Sequence, residues 1–224
     1  MTGVEFQPSG RTVPFGAQTQ TPQGFIMRSL RPIAAVSLCI ALLGCATTKV
    51  EMSGTSMQAP LCQDGVHDLS AVVYWLPKWR PDQKEPPLRE AAALRGIQGF
   101  FAAAGCISRV DIRRLPDGTF EEAPPDEELL HLATGVMPAP DRVFLIVVRE
   151  LGPKLLIGIP VILEGGTEVV IEVRALNART SESTANVRTH WQNGGKFVLR
   201  GVKSLDRDMS AALRATLMPA ASSQ

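Results

Sequence analysis

Hydrophobic and polar positions follow two spacings along the chain, one typical of strands and one of helices. Residues 69–76 are β-branched and aromatic and end at Pro77, which predicts a first strand. Residues 88–104 carry apolar side chains at helical spacing and predict a helix. Residues 106–115 alternate apolar with charged positions, which predicts a strand with one solvated side. This order is typical of a right-handed parallel βαβ unit.

The second half of the chain predicts a short helix, several strands and a last helix. The short helix covers 126–133, and the last helix begins after Ser204. Strands are predicted over 143–148, 155–163, 169–176, 185–191 and 197–199, with turns at 164–167 and 193–195. The order β-α-β-α-β-β-β-β-β-α predicts an α/β (α+β) fold, with helices packed on a mixed sheet of six to seven strands.

The segment 27–45 differs from the rest of the chain. Arg28 and Arg31 give it a positive start, 33–43 is almost wholly apolar, and it closes with Leu42-Leu43-Gly44-Cys45. A positive start, an apolar core of about 7–15 residues and a small residue before the cleavage point describe an export signal.

The ending Leu42-Leu43-Gly44-Cys45 resembles the lipobox of bacterial lipoproteins. In that family the signal is removed before the cysteine, which then carries acyl chains, so the resemblance implies lipidation of Cys45. Ala46 follows in place of the aspartate that favours the inner membrane, which implies the periplasmic face of the outer membrane. A plain signal peptide and an uncleaved anchor remain as alternatives, because 32–48 is at the lower limit for a spanning helix.

The pattern divides the chain into five parts. Residues 1–26 lack signal character. We expect translation to start at Met27, so that the residues before it are a disordered overrun of the true start site. Residues 27–44 are the expected signal peptide, 45–60 a flexible tether, 61–218 a single periplasmic domain and 219–224 a loose tail.

Only two of the four cysteines are expected to remain free to form a disulfide. Cys39 leaves with the signal and Cys45 is used for lipid, which leaves Cys62 and Cys106 in an oxidising compartment. We therefore expect a disulfide between them, with two buried thiols as the alternative.

No residue pattern predicts catalysis, a cofactor or a metal. Glu128 and His131 have the Glu-x-x-His spacing of di-iron helical bundles, but the second copy that such a site needs is missing. His190 lies on the polar side of its strand, and the chain contains no Gly-x-Ser-x-Gly motif. A formal net charge of +1 gives no reason to expect nucleic-acid binding.

Aromatic and basic residues cluster where the first strand ends. Trp75, Lys78, Trp79 and Arg80 flank Pro77, and loops at strand ends often carry binding residues. This cluster is the predicted interaction surface. The alternative is that Trp75 packs in the core and only Trp79 is exposed.

The order of elements after a lipobox is similar to that of the TolB N-terminal region and of the penicillin-binding-protein activator lipoproteins, over about 69–217. Those families are envelope adaptors, so the resemblance implies a non-enzymatic lipoprotein. Its expected partners are the membrane, through the acyl chains, and another envelope protein.

Two other functions stay open. One is an accessory subunit of an envelope transport or lipid-trafficking system, for which 155–163 is apolar enough to supply a groove or simply to fill the core. The other is a hydrolase without a recognisable motif.

Overall fold

The computed structural model describes residues 46–57, 59–62, 68–118, 122–158, 162–196, 198 and 200–219. The chain divides into Met1–Ala41 and Leu42–Gln224, and every described residue belongs to the second unit. The expected overrun at 1–26, the signal at 27–44, Cys45 and the tail beyond Pro219 lie outside the described residues.

Six strands and three α-helices make up the described part of the chain. In chain order they are β1 Thr47–Thr55, β2 Leu69–Pro77, α1 Pro86–Ala103, β3 Ile107–Arg114, α2 Asp126–Thr134, β4 Arg142–Gly158, β5 Ile162–Asn177, β6 Ser183–Lys196 and α3 Leu205–Leu217. A single 3₁₀ turn, Val202–Ser204, leads into α3. No helix among these is both long and apolar enough to cross a bilayer.

The strands form one mixed sheet in the order β1-β6-β5-β4-β2-β3. β2 runs parallel to both β3 and β4, whereas β4, β5, β6 and β1 pair antiparallel in succession. The predicted α+β fold and its parallel βαβ unit (β2-α1-β3) are confirmed.

Two predicted turns are wrong, because the strands run through them. β4 continues from the predicted strand at 143–148 through a bulge between Val148 and Glu150 to Gly158. The predicted single strand at 155–163 is wrong, because 155–158 belong to β4 and 162–163 to β5. The expected turn at 164–167 lies inside β5, and that at 193–195 lies inside β6. The glycines there serve close backbone approach: a Cβ on Gly166 would lie 2.4 Å from the carbonyl oxygen of Asn193. Of the predicted strand at 197–199, only Val198 is described, and it lies outside any strand.

The expected flexible tether is also wrong over most of its length. Thr47–Thr55 forms β1, which pairs with β6 from Thr47 opposite Gly194 to Thr55 opposite Asn186. All nine side chains of β1 are exposed, so the strand is held by its backbone ladder and needs no apolar face. A search for hydrophobic alternation misses a strand of this kind.

Two apolar cores lie on opposite faces of the sheet. The larger one is between the sheet and the helices α1 and α3, and the predicted stripe of α3 is fully buried in it (Leu205, Met209, Ala212, Leu213 and Leu217). The smaller core is beneath α2, where Leu129 and Ala133 pack against β2 and β4. The continuous apolar run at the start of β4 is therefore buried on both faces, as its sequence predicts.

The expected disulfide is present. Cys62 and Cys106 are bonded, with their Cα atoms 5.3 Å apart. Cys106 is buried directly before β3, and Leu61 donates its backbone N–H to the carbonyl of Leu217 at 2.9 Å. The segment that enters the domain is thereby fixed to β3 and to the end of α3.

Candidate functional site

The sheet face opposite α1 and α3 is covered by a described helix only over β2 and β4. Across β5, β6 and β1 the same face carries mainly polar side chains, and we call it the open face. Its residues are Glu168, Val170 and Glu172 on β5, Arg188, His190 and Gln192 on β6, and Lys49 and Glu51 on β1. They are placed by strand alternation, since their neighbours Val169, Ile171, Val187 and Trp191 are buried on the other side.

A depression of about 400 Å³ lies at the border between the open face and the loop after β2. We call it the Trp79 pocket. Its lining residues are Lys78, Trp79, Arg80, Arg149, Glu150, Glu168, Val170 and Arg188. The indole N–H of Trp79 is shielded from solvent and has no hydrogen-bond acceptor among the described residues. An aromatic ring among guanidinium and carboxylate groups is typical of protein-binding surfaces.

Glu150 holds the loop after β2 in place. Its side chain is only 13% exposed and contacts Arg80 at 2.9 Å. The same carboxylate accepts a hydrogen bond from the side-chain amide of Gln83 at 2.7 Å. The backbone N–H of Lys78 donates to the carbonyl of Val148 at 2.8 Å. The residues on either side of the β4 bulge therefore hold this loop at Lys78, Arg80 and Gln83.

Arg89 fastens the far end of this loop. Arg89 lies on α1, and the residue is only 8% exposed. Its Nε donates a hydrogen bond to the carbonyl of Lys84 at 2.6 Å. A second nitrogen donates to the carbonyl of Leu151 on β4. A Cβ on Gly152 would overlap this guanidinium, so a glycine is needed at that position.

Two carboxylates organise the charges of the open face. Glu172 accepts hydrogen bonds from two of the three guanidinium nitrogens of Arg149, at 3.2 and 3.0 Å, and from one nitrogen of Arg188 at 3.2 Å. Glu168 contacts the His190 ring and lies 3.4 Å from the ammonium of Lys154. Glu168 and Glu172 are thus each shared between two or more donors.

The carboxyl of Glu168 has a lowered pKa. Burial alone raises that pKa, but hydrogen bonds from His190 and Gln192 and the positive charge of Lys154 outweigh burial. Glu168 is consequently an anion across the neutral pH range, and it can accept hydrogen bonds from an incoming ligand as well as from His190.

The structure separates the residues of the predicted interaction surface. Lys78, Trp79 and Arg80 all line the pocket. Trp75 does not, because it is 2% exposed in the larger core, with the Arg114 guanidinium 5.9 Å from its ring centre. Trp75 is therefore not part of the interaction surface, and the alternative interpretation, in which it packs in the core, is correct for this residue.

Five pocket residues come from strands far along the chain and were missed by the sequence analysis: Arg149, Glu150, Glu168, Val170 and Arg188. The sequence analysis placed His190 on the polar side of its strand, but nothing in the sequence indicated that β4 brings Arg149 and Glu150 to the same place. His131 is exposed on α2, and the described residues include no group of three metal-ligating side chains.

No protein-family model and no curated protein sequence matches the chain. Several solved structures are distantly similar. The PelC dodecamer from Paraburkholderia phytofirmans is similar at a TM-score of 0.39 and 12% identity, covering 76% of this chain and 98% of that one. Lipoprotein GNA1162 from Neisseria meningitidis matches at 0.34 and 16%, covering 65% and 96%. Protein XCC0632 from Xanthomonas campestris matches at 0.36 and 12%, covering 71% and 85%. At these TM-scores and identities, the structural similarities do not indicate a function.

Proposed function

We propose that the protein is a non-enzymatic, acyl-anchored lipoprotein of the bacterial cell envelope whose domain binds another envelope protein. The lipobox-like ending at Cys45 supports the anchor, and Ala46 after it supports the outer membrane. The disulfide between Cys62 and Cys106 suits an oxidising compartment such as the periplasm.

The Trp79 pocket is the observation on which the binding role depends. It combines an aromatic ring, whose N–H is left without an acceptor among the described residues, with paired charges on a rigid sheet. Such a surface gives a partner aromatic contact area and fixed hydrogen-bond groups at little cost in conformational entropy.

The anchor is tested by labelling cells with palmitate. We expect label on the wild-type protein and none on a Cys45→Ser variant, which should also lose its membrane association. An unlabelled wild-type protein, or a Cys45→Ser variant that fractionates with membranes like the wild type, contradicts the anchor.

The binding role is tested by capturing partners from detergent-solubilised envelopes with wild type, Trp79→Ala and Arg80→Glu. The matched control is Arg109→Glu, which changes an exposed arginine at the opposite end of the sheet. We expect a defined partner with the wild type and the control, and its loss with both pocket variants. Equal recovery with all four proteins places the binding surface elsewhere.

A hydrolase is the second candidate, and one contact favours it. His190 contacts Glu168 on the open face, and a carboxylate that orients a histidine is an arrangement used in general base catalysis. Hydrolysis of ester or peptide substrates that is abolished by His190→Gln supports this candidate. The lipid-trafficking alternative has less support, because the depressions along the open face are lined mainly by polar and charged residues.

A further inference from the structure

β1 forms one edge of the sheet. It pairs with β6 on one side, and no other strand of the described part of the chain adjoins it. The strand is nine residues long and contains no proline. The outer backbone N–H and C=O groups of such a strand are a template for pairing with a further strand, and natural proteins commonly protect them with charges, prolines or bulges.

The opposite edge of the sheet, β3, carries that protection. Half of its eight residues are charged, namely Arg109, Asp111, Arg113 and Arg114. β1 has only two charged residues, Lys49 and Glu51, and they have opposite signs. Of the two edges, β1 is therefore the one suited to pairing with another strand.

β1 also exposes apolar side chains. Val50 is 39% exposed and Met52 is 45% exposed. They lie opposite Trp191 and Thr189 of β6, which are both buried on the side of the sheet that carries α1 and α3. A strand added beside β1 would contact both exposed side chains and continue the apolar surface of that side.

A second copy of β1 fits this edge in one register. A two-fold axis perpendicular to the sheet pairs β1 antiparallel with itself and keeps each side of the sheet continuous, so opposed residues are an even number of positions apart. With Val50 opposite its own symmetry mate, Lys49 of each copy lies opposite Glu51 of the other. A centre at Lys49 or at Glu51 opposes like charges, and a centre at Thr48 or at Met52 leaves both charges unpaired.

The length of the regular strand agrees with this register. It pairs residues 47–53 of the two copies, with Met52 of one beside Thr48 of the other. The next residue, Gly54, has a φ of 102°, which departs from regular strand geometry. The intermolecular ladder would therefore cover the regular part of β1 and end where that part ends.

We infer that two copies of this chain associate through their β1 edges, so that two six-stranded sheets become one continuous sheet. Main-chain hydrogen bonds supply the affinity, and the paired charges of Lys49 and Glu51 select the register. Both copies use the same edge, so the contact is closed and stops at a dimer. The inference depends neither on the proposed anchor nor on the Trp79 pocket.

The first test is disulfide cross-linking of the whole chain, purified in mild detergent. Every sample carries Cys39→Ser and Cys45→Ser, so an introduced cysteine is the only one outside the Cys62–Cys106 bond. Val50→Cys sets two thiols opposite each other with their Cα atoms about 4.5–5.5 Å apart, which a disulfide bridges. Met52→Cys is the matched control, since Met52 is at least as exposed but is displaced by about 14 Å along the strands from its symmetry mate.

On mild oxidation, we expect at least about five times as much covalent dimer with Val50→Cys as with Met52→Cys. Adding Thr48→Cys to Met52→Cys should restore the dimer, because these two positions oppose each other in the proposed register. Equal cross-linking of the two single variants, cross-linking of neither, or a preference for Met52→Cys overturns the inference.

The second test measures the dimer without a cross-link, by sedimentation velocity in the same Cys39→Ser, Cys45→Ser background. Lys49→Glu opposes like charges at both symmetric pairs, and we expect the dimer dissociation constant to rise at least about tenfold. Combining Lys49→Glu with Glu51→Lys opposes unlike charges again and should restore dimerisation. Arg109→Glu, on the β3 edge, is the control and should dimerise like the parent chain.

Three outcomes of sedimentation overturn the inference. A monomeric parent chain leaves the β1 edge to a strand of a different protein. A parent dimer that Lys49→Glu does not weaken is formed through another surface. A double variant that dimerises as weakly as Lys49→Glu shows that Lys49 and Glu51 do not oppose each other.

Discussion

Glu168 is the residue at which the charges of the open face meet. Its carboxylate contacts His190 and Lys154, and the side-chain amide of Gln192 donates to it at 3.2 Å. It also lines the Trp79 pocket. Because its pKa is lowered in the folded protein, the ionised form of Glu168 stabilises the native state.

Replacing Glu168 with Gln should therefore change how stability depends on pH. A carboxyl with a lowered folded-state pKa contributes stability above its unfolded pKa of about 4.5 and loses it as the pH falls through the folded value. We expect Glu168→Gln to cost up to about 1 kcal/mol near neutral pH, a modest amount because the group is partly solvated. Urea unfolding of both proteins from pH 7 to pH 3 measures the difference, which should shrink in acid. A constant difference over that range contradicts the assignment.

Helices α1 and α3 pack at the distance that one glycine allows. A Cβ on Gly96 would lie 2.5 Å from the Cβ of Met209 and 2.6 Å from the carbonyl oxygen of Asp206. Neither atom is the flexible end of a side chain, so the two helices would have to move apart. Gly99, on the same helix, has no such neighbour within 4 Å.

Alanine at these two glycines should have opposite effects. Gly96→Ala is expected to lower the free energy of unfolding by about 1–3 kcal/mol through overpacking. Gly99→Ala is expected to raise it by up to about 1 kcal/mol, because alanine is the better helix former. Thermal or urea denaturation of both variants beside the wild type measures this. Equal effects of the two substitutions would show that the packing at Gly96 is not limiting.

Some elements of the fold could be predicted from the sequence and others could not. The helices and the buried start of β4 were predictable, because residues such as Leu213 and Phe144 lie in stripes or runs that only burial explains. β1 was missed because all its side chains are exposed. The glycines at 165 and 166 were taken as a turn, since a close backbone approach between strands and a turn both select glycine.

The candidate site depends on contacts that sequence spacing does not contain. Trp79 and Arg80 were found because they are adjacent in the chain. Glu150, which fixes their loop, is about 70 residues away and reaches it through a bulge in β4. The resemblance to TolB and the penicillin-binding-protein activators stays a prediction.

At the scale of the whole molecule, the disulfide joins the start of the domain to the βαβ unit. The bond between Cys62 and Cys106 spans 44 positions of the chain and encloses β2 and α1. On the chain-entropy account, such a loop stabilises the folded state by about 4 kcal/mol. The bond therefore accounts for a large part of the stability expected of a domain of this size.

Removing this bond should weaken the domain while leaving its fold recognisable. A Cys62→Ser, Cys106→Ser double variant is expected to unfold at a clearly lower urea concentration than the wild type, with a loss of about 2–4 kcal/mol. The control is the wild type with reductant, which should behave like the variant. If reductant leaves the wild-type midpoint unchanged, the two cysteines are not bonded in solution.

The position of β1 has a mechanical consequence. β1 begins at Thr47, and its ladder to β6 runs along the strand direction from there to Thr55. Tension applied at Cys45 along that direction would load the nine paired positions together in shear, whereas a sideways pull would open them one by one. A pulling force on a protein held at its N-terminus would thus be resisted by all nine pairs between β1 and β6 at once.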